Sequence, residues 1–174
     1  MASNGFTHES TVNESIEWYT PPEVFEALGL TFDLDPCSPG PGNSFVPTRK
    51  HYTIVDDGLT SPWEGTVWVN PPYGPHTPVW LNKLAEHGDG IALVFSRTDT
   101  RWFQEAAATA GALCFISSRV RFFKGSTTER GGSPGAGSVL IAYGEKAVEA
   151  LKASGLGVVV EVAATRPALS LVAA

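Results

Sequence analysis

Asn70-Pro71-Pro72-Tyr73 follows directly on the β-branched and aromatic run Thr66-Val67-Trp68-Val69. An asparagine amide offers an acceptor and a donor at one point. Proline has no N–H and a fixed φ, so two in succession lock the backbone behind that amide. The Asn70 side-chain oxygen and the Pro71 carbonyl then form a fixed pair of acceptors. Such a pair suits an exocyclic amino group, which has two hydrogens to donate. Tyr73 adds a flat face for stacking a base. The plainer alternative is a rigid exit from a buried strand, with Tyr73 packed as core.

The elements that must carry these residues follow from hydrophobic period and turn chemistry. Thr20-Pro21-Pro22-Glu23 reads as a helix start, with Thr20 as N-cap, Pro21 in the first helical position and Glu23 as the acid of a capping box. Val24, Phe25 and Leu28 form its apolar face, and Gly29 ends it. Residues 30–36 alternate as a strand stopped by Pro36, and 37–48 read as a Pro/Gly-rich irregular loop. Residues 51–59 form a short extended segment with a turn at Asp57-Gly58. Buried strands are expected at 66–70, 91–96, 112–117 and 138–144, with a last strand from 156. Helices are expected at 80–87, at 99–110 with Asp99 as N-cap, and from 145. This alternation predicts an α/β sheet, mostly parallel, with helices on both faces. The run 91–96 has the continuous apolar character of a central parallel strand. In such sheets ligands bind at the carboxyl ends of the strands. Asp35-Pro36 and Asn70-Pro71 each sit just past a predicted strand, so both turns are expected on one edge and in one site.

The bulk composition narrows the class. With 174 residues, 43% hydrophobic and 17% charged, the chain reads as one globular domain over 16–174 behind a flexible polar tail over 1–15. No apolar run reaches the roughly 18–20 residues of a membrane span, and the N-terminus lacks the pattern of a signal peptide. Cys37 and Cys114 are too few for a disulfide framework, which points to a reducing, cytoplasmic setting. His8, His51, His76 and His87 show no metal-ligand spacing, and no metal site is expected. The formal net charge is −6, yet residues 97–130 hold six basic and three acidic side chains, a local +3. Such asymmetry marks a phosphate-facing surface on an otherwise repelling body; the plain alternative is scatter.

Asn70-Pro71-Pro72-Tyr73 resembles the catalytic motif of the amino-methyltransferases, which use S-adenosylmethionine. The likeness extends along the chain. Residues 20–28 (TPPEVFEAL) resemble the segment that opens the cofactor domain of adenine-N6 methyltransferases, 32–38 (FDLDPCS) their first cofactor motif, and 56–59 (DDGL) the acidic turn that contacts the cofactor adenine. The order of these segments, and the later W-x-x-K-L (80–84), ALVFSRTDTRWF, RVRFF and SVLIAYG, also fit. Over residues 17–144 the chain is similar to the small phage-type DNA N6-adenine methyltransferases. That resemblance implies a Rossmann-like methyltransferase fold with one antiparallel strand, S-adenosylmethionine as cofactor and DNA as substrate. A phage- or prophage-encoded protein in a bacterial cytoplasm, monomeric or weakly dimeric, is implied with it.

The resemblance also implies roles. Asn70 and the Pro71 carbonyl would accept both N6 hydrogens and localise the nitrogen lone pair, with Pro72 rigid behind them and Tyr73 stacked on the base. The base must be flipped out or single-stranded to reach such a pocket. Thr20, Pro21, Asp35, Pro36, Cys37, Asp57, Gly58 and Leu59 would line the cofactor, with Asp35 toward its methionine amino group and Asp57 toward its adenine. Cys37 reads otherwise as a small packing residue, Asp35 as a strand-end cap, and Asp57-Gly58 as an Asx turn. Phe122 or Phe123 would cover the base; both read equally as core. Arg97, Arg101, Arg119 and Arg121 would contact phosphate.

One departure stands out: only 20 residues, Pro/Gly-rich, separate Pro36 from Asp57. The helix and acidic second strand that usually bind the ribose are not legible there, so the cofactor region is abbreviated. The length leaves no room for a separate target-recognition domain, and relaxed sequence specificity is expected. Two other readings remain. The same motif serves enzymes that methylate RNA or a protein glutamine amide, and an abbreviated cofactor region also fits a catalytically inactive nucleic-acid-binding module.

Overall fold

A computed structural model describes residues 17–125 and 128–163. In chain order the elements are β1 (Trp18–Tyr19), α1 (Pro22–Leu28), β2 (Phe32–Asp35), β3 (Thr48–His51), β4 (Val67–Val69), α2 (Thr77–His87), β5 (Gly90–Phe95), α3 (Arg101–Thr109), β6 (Ala112–Ile116), β7 (Phe123–Lys124), β8 (Ser138–Tyr143), α4 (Glu145–Ala153) and β9 (Gly157–Glu161). Seven strands form one sheet in the order β3-β2-β4-β5-β8-β6-β9, and β1 pairs with β7 in a separate ribbon.

The central strands are buried on both faces because their side chains alternate between two cores. Ala92 and Val94 of β5 share one core with Trp80, Leu81 and Leu84 of α2 and Phe103 of α3. Ile91 and Leu93 share the other with Phe25 of α1 and Leu151 of α4. Helices therefore cover both faces, as the strand–helix alternation predicts.

Strand direction departs from expectation. β3, β2, β4 and β5 run parallel. β8 lies antiparallel between β5 and β6, and β9 pairs antiparallel with β6. Two strands thus oppose the rest where one was expected, and the sheet is mixed. The apolar run 91–96 is central, but parallel to a neighbour only on its β4 side.

Four local boundaries also shift, and the first is α2, which begins at Thr77 and not at Trp80. Pro21, with φ −70° and ψ 152°, is the N-cap of α1 and makes no side-chain cap bond. A residue before proline is pushed out of the helical region, so the helix cannot begin until Pro22. Thr20 is consequently not the cap but a buried residue, and Glu23 pairs with Arg130 at 2.6 Å instead of closing a capping box. The α3 cap is Thr100, whose hydroxyl accepts from Phe103 N–H, and not Asp99. The expected extended segment 51–59 lies earlier, as β3. The Pro/Gly-rich stretch 36–47 makes the parallel crossover from β2 to β3 without a helix, and 52–61 is built of turns. At the far end, α4 and β9 complete a helical layer and an edge of the main sheet. The expected tail over 1–15 lies outside the described residues.

Candidate active site

β2 and β4 are adjacent and parallel, so Asp35 and Asn70 emerge at neighbouring carboxyl ends. The Cys37 thiol donates to the Asn70 carbonyl at 3.3 Å and ties the two exits together. Thr77 Oγ1 donates to the Pro72 carbonyl at 3.2 Å, anchoring the proline turn to the start of α2. The Asp57-Gly58 turn lies against the first exit: a methyl group at Gly58 would collide with the Pro36 carbonyl. Lys83 of α2 clamps this turn, its Nζ donating to the carbonyls of Gly58 (3.1 Å), Leu59 (2.8 Å) and Ser61 (2.6 Å). Trp63 Nε1 donates to the Gly58 carbonyl as well, at 2.8 Å. Asp57 has φ 49°, and its Oδ1 accepts from Leu59 N–H at 3.2 Å. That is the Asx turn an Asp-Gly pair favours.

The Asn70 amide has a defined orientation. Nδ2 donates to the Trp18 carbonyl at 3.0 Å. Oδ1 is buried, and among the described residues no donor reaches it. A buried acceptor without a partner carries a desolvation cost of about 1–3 kcal/mol, which an incoming N–H would relieve. Thr20 Oγ1 is a second buried oxygen in the same condition. Tyr73 is half-buried, and its ring stacks on Phe95 with centroids 4.4 Å apart and planes 17° apart. Phe122 meets the same Phe95 edge-on at 6.4 Å and is buried. Phe123 turns the other way, against Phe45 at 4.8 Å, with the Arg130 guanidinium 4.8 Å above its ring. The structure thus brings Phe122, not Phe123, into the aromatic cluster with Tyr73.

Asp35 is 3% exposed. Burial pushes its carboxyl up to about 7, against the opposing pull of the Cys37 amide and the Ser38 hydroxyl. Among the described residues no cation is one of the groups acting on it. Cys37 N–H donates to Asp35 Oδ1 at 3.2 Å. Ser38 Oγ lies 2.8 Å from His51 Nδ1 and accepts from Gly40 N–H at 3.1 Å. His51 stands opposite Asp35 in the β2–β3 register, and burial lowers its pKa. The Cys37 thiol is raised well above its ordinary value by burial and then by the Asp35 charge. A thiol so shifted stays protonated and keeps its bond to the Asn70 carbonyl.

The basic residues gather around this edge. Arg97 follows β5, Arg101 opens α3, and Arg119 and Arg121 lie between β6 and β7; all four are exposed. Arg101 is tied to Glu105 at 2.7 Å, and Arg121 Nε donates to the Gly131 carbonyl at 3.4 Å. Ser96 N–H donates to the Gly137 carbonyl at 2.9 Å, which holds the end of the 117–137 segment beside the β5 exit.

Sequence reasoning gave no role to five contributors. Trp18 orients Asn70 through a backbone carbonyl, which no residue type reveals. Phe95 looks like one more apolar strand residue. Ser38 and His51 are distant in sequence and meet only through the β2–β3 pairing. Lys83 did carry a signal, since it lies in the W-x-x-K-L stretch (80–84) that resembles the family.

Two shallow depressions of about 320 Å³ and 370 Å³ are also present, the first lined by Asp33, Lys50, Tyr52 and Glu64, the second, beside the clamped turn, by Leu59, Val79, Lys83 and Glu86. Neither includes Asn70 or Asp35, and neither gathers an unpartnered buried polar atom. The strand exits are the stronger candidate, because they combine a buried acid, an oriented amide and stacked aromatic rings. Among the described residues no group of side chains could hold a metal ion, and no helix is long and apolar enough to cross a membrane.

A family model described as DNA N-6-adenine-methyltransferase (Dam) matches residues 8–156, most of the chain. No curated protein and no solved structure shows significant similarity to it.

Proposed function

The chain belongs to the DNA N-6-adenine-methyltransferase (Dam) family, and from that premise we propose that it methylates the N6 amino group of adenine in DNA, using S-adenosylmethionine. The observation that carries this reading is the Asn70 amide. Its nitrogen is held by the Trp18 carbonyl and its buried oxygen has no donor among the described residues. An acceptor so prepared fits one N6 hydrogen of adenine, and the adjacent Pro71 carbonyl takes the second. The N6 lone pair is delocalised into the ring and weakly nucleophilic. Two acceptors on its hydrogens localise it on nitrogen. This is catalysis by positioning and preorganised polarity, without a covalent enzyme intermediate. Tyr73 offers the adenine its ring face turned away from Phe95, in a Rossmann-like site that takes a flipped or single-stranded base.

The residues at the β2 exit fit the cofactor. A carboxyl as buried as Asp35, with no cation among the described residues acting on it, is suited to an ammonium group, which would hold it ionised. Thr20 Oγ1 supplies a second buried polar atom without a partner. The backbone of Pro21, Pro36 and Cys37, and the Asp57-Gly58-Leu59 turn that Lys83 clamps, complete the group of residues that would hold it. When bound, S-adenosylmethionine supplies an electrophilic methyl group on a sulfonium sulfur. Arg97, Arg101, Arg119 and Arg121 serve as phosphate contacts at the rim, and their use is salt-dependent.

The test is transfer of tritiated methyl from S-adenosylmethionine to unmethylated DNA, followed by nuclease digestion. Wild type yields N6-methyladenine. Asn70→Ala binds the cofactor but loses about 100-fold or more of the transfer rate, the cost of removing one positioned acceptor. A folded, cofactor-binding protein that leaves DNA unmethylated would overturn the reading and redirect the assay to RNA and protein acceptors.

A further inference from the structure

Resting on the reading of Asn70 as the acceptor for an adenine amino hydrogen, we propose that Trp18 and Gly131 are positioning residues for methyl transfer. The packing of the Trp18 indole on Gly131 seats the Trp18 carbonyl, and that carbonyl holds the Asn70 amide with its oxygen free for the base. Neither residue is expected to touch the reacting atoms.

An amide side chain carries an acceptor on one side and a donor on the other, and a half-turn exchanges them. At Asn70 the choice decides the chemistry, because an NH2 group turned to an adenine amino group sets donor against donor. A backbone carbonyl can only accept. The Trp18 carbonyl, 3.0 Å from Nδ2, therefore selects the orientation that leaves Oδ1 open. Among the described residues no donor reaches Oδ1. The amide is thus held from one end, and its orientation is only as firm as the Trp18 backbone.

That backbone lies at the surface. Trp18 is 38% exposed and joins neither hydrophobic core. It pairs with Lys124 across the β1–β7 ribbon, and Gly125 N–H donates to the Glu17 carbonyl at 2.7 Å. On the other side of β7, Phe123 bridges Arg130, and Gly131 N–H donates to the Phe122 carbonyl at 2.7 Å. The indole reaches across β7 to Gly131. A methyl group there would overlap indole Cζ3 and lie 3.2 Å from Cη2 and 3.1 Å from the Phe122 carbonyl oxygen. Gly131 is not among the glycines with positive φ, so the ring and not the backbone calls for glycine. A two-stranded ribbon is marginal by itself, and this contact across it fixes where the Trp18 carbonyl sits. Arg130, next to Gly131, pairs with Glu23 at 2.6 Å and fastens that side of the contact to α1.

The experiment is NMR of the isotope-labelled full chain without DNA, beside kcat and KM for methyl transfer to unmethylated DNA. The Asn70 side-chain NH2 signals are assigned by their loss in Asn70→Asp. Gly131→Ala displaces the indole, and Trp18→Phe withdraws the part of the ring that lies on Gly131. Each moves the Asn70 signals toward those of an unbonded amide and lowers kcat about tenfold, the scale of one hydrogen bond, with the KM for S-adenosylmethionine unchanged. The two substitutions together restore both readings, because the added methyl fills the space the smaller ring vacates; damage from two unrelated changes would add instead. Trp18→Phe only removes atoms, so it carries the test if Gly131→Ala does not fold. Asn70 signals that stay in place in the folded single variants overturn the proposal and leave Asn70 as the acceptor. Signals that move while kcat holds remove the role of the Asn70 amide itself, and this proposal with it.

Discussion

Asn70 and Asp35 stand a strand apart and are prepared in opposite ways. Asn70 has its donor satisfied and its acceptor left open. Asp35 is an acid that the fold disfavours in its charged form, because burial raises its carboxyl to about 7 from an unfolded value near 4. Between those values the folded chain binds more protons than the unfolded chain. The contribution to stability is therefore greatest at low pH and is lost as pH rises from about 4 to about 7. Asp35→Asn removes this loss. Thermal melts should show the variant gaining on wild type across that window and keeping the gain above it, and parallel curves would refute the burial account. The same variant should lose cofactor binding. In wild type, affinity for S-adenosylmethionine should weaken as pH falls below about 7, because protonated Asp35 cannot pair with a cation. Calorimetry from pH 5.5 to 8.5 reads this directly.

At the scale of elements, α2 clamps the turn proposed to hold the cofactor. Lys83 donates to three carbonyls of one turn, and burial lowers its pKa. Lys83→Met keeps much of the apolar stem but leaves those carbonyls without their shared donor. A stability loss of about 1–3 kcal/mol is expected. The KM for S-adenosylmethionine should rise more than kcat falls, since the turn lies on the cofactor side and not beside Asn70. A fall in kcat at unchanged KM would contradict this placement. Gly58 tests the same join from the other side. Any side chain there meets the Pro36 carbonyl, so Gly58→Ala should drive the turn off the β2 exit and abolish cofactor binding.

The β1–β7 ribbon is the other joining element. It pairs Trp18 with Lys124 and Tyr19 with Phe123, and the Trp18 indole packs against Gly131 so closely that a methyl group there would overlap it. The carbonyl that orients Asn70 is thus anchored to the basic 117–137 segment.

Over the whole molecule, a net charge of −6 opposes DNA, and the exposed arginines at the rim of the strand exits offset it locally. Each phosphate contact contributes about 0.9 to the slope of log affinity against log salt. Replacing Arg119 and Arg121 together by alanine should flatten that slope by roughly 1–2 and weaken all DNA sequences alike. Arg101, already paired with Glu105, should contribute less. Filter binding at several salt concentrations measures both, and a loss confined to one DNA sequence would show base reading instead.

The amino-acid sequence by itself determined the family and the place of the candidate residues at the strand ends. The apolar runs at 91–96 and 138–144 can only be buried strands. A proline turn after a strand leaves Asn70 and Asp35 at strand ends whatever surrounds them, and parallel neighbours put both on one edge. These are local consequences of period, propensity and missing N–H groups. Only the tertiary structure decided the rest. A strand's residues read the same in either direction, so β8, buried on both faces, and β9, a largely exposed edge, could reverse without a trace in their sequence. Pro22 moved the helix start past Thr20, which left a buried hydroxyl where a cap was expected. The partners that matter most, Trp18 for Asn70 and Phe95 for Tyr73, come from separate segments. Their meeting depends on sheet order and register, which the long-range burial of the two cores decides and no local pattern carries.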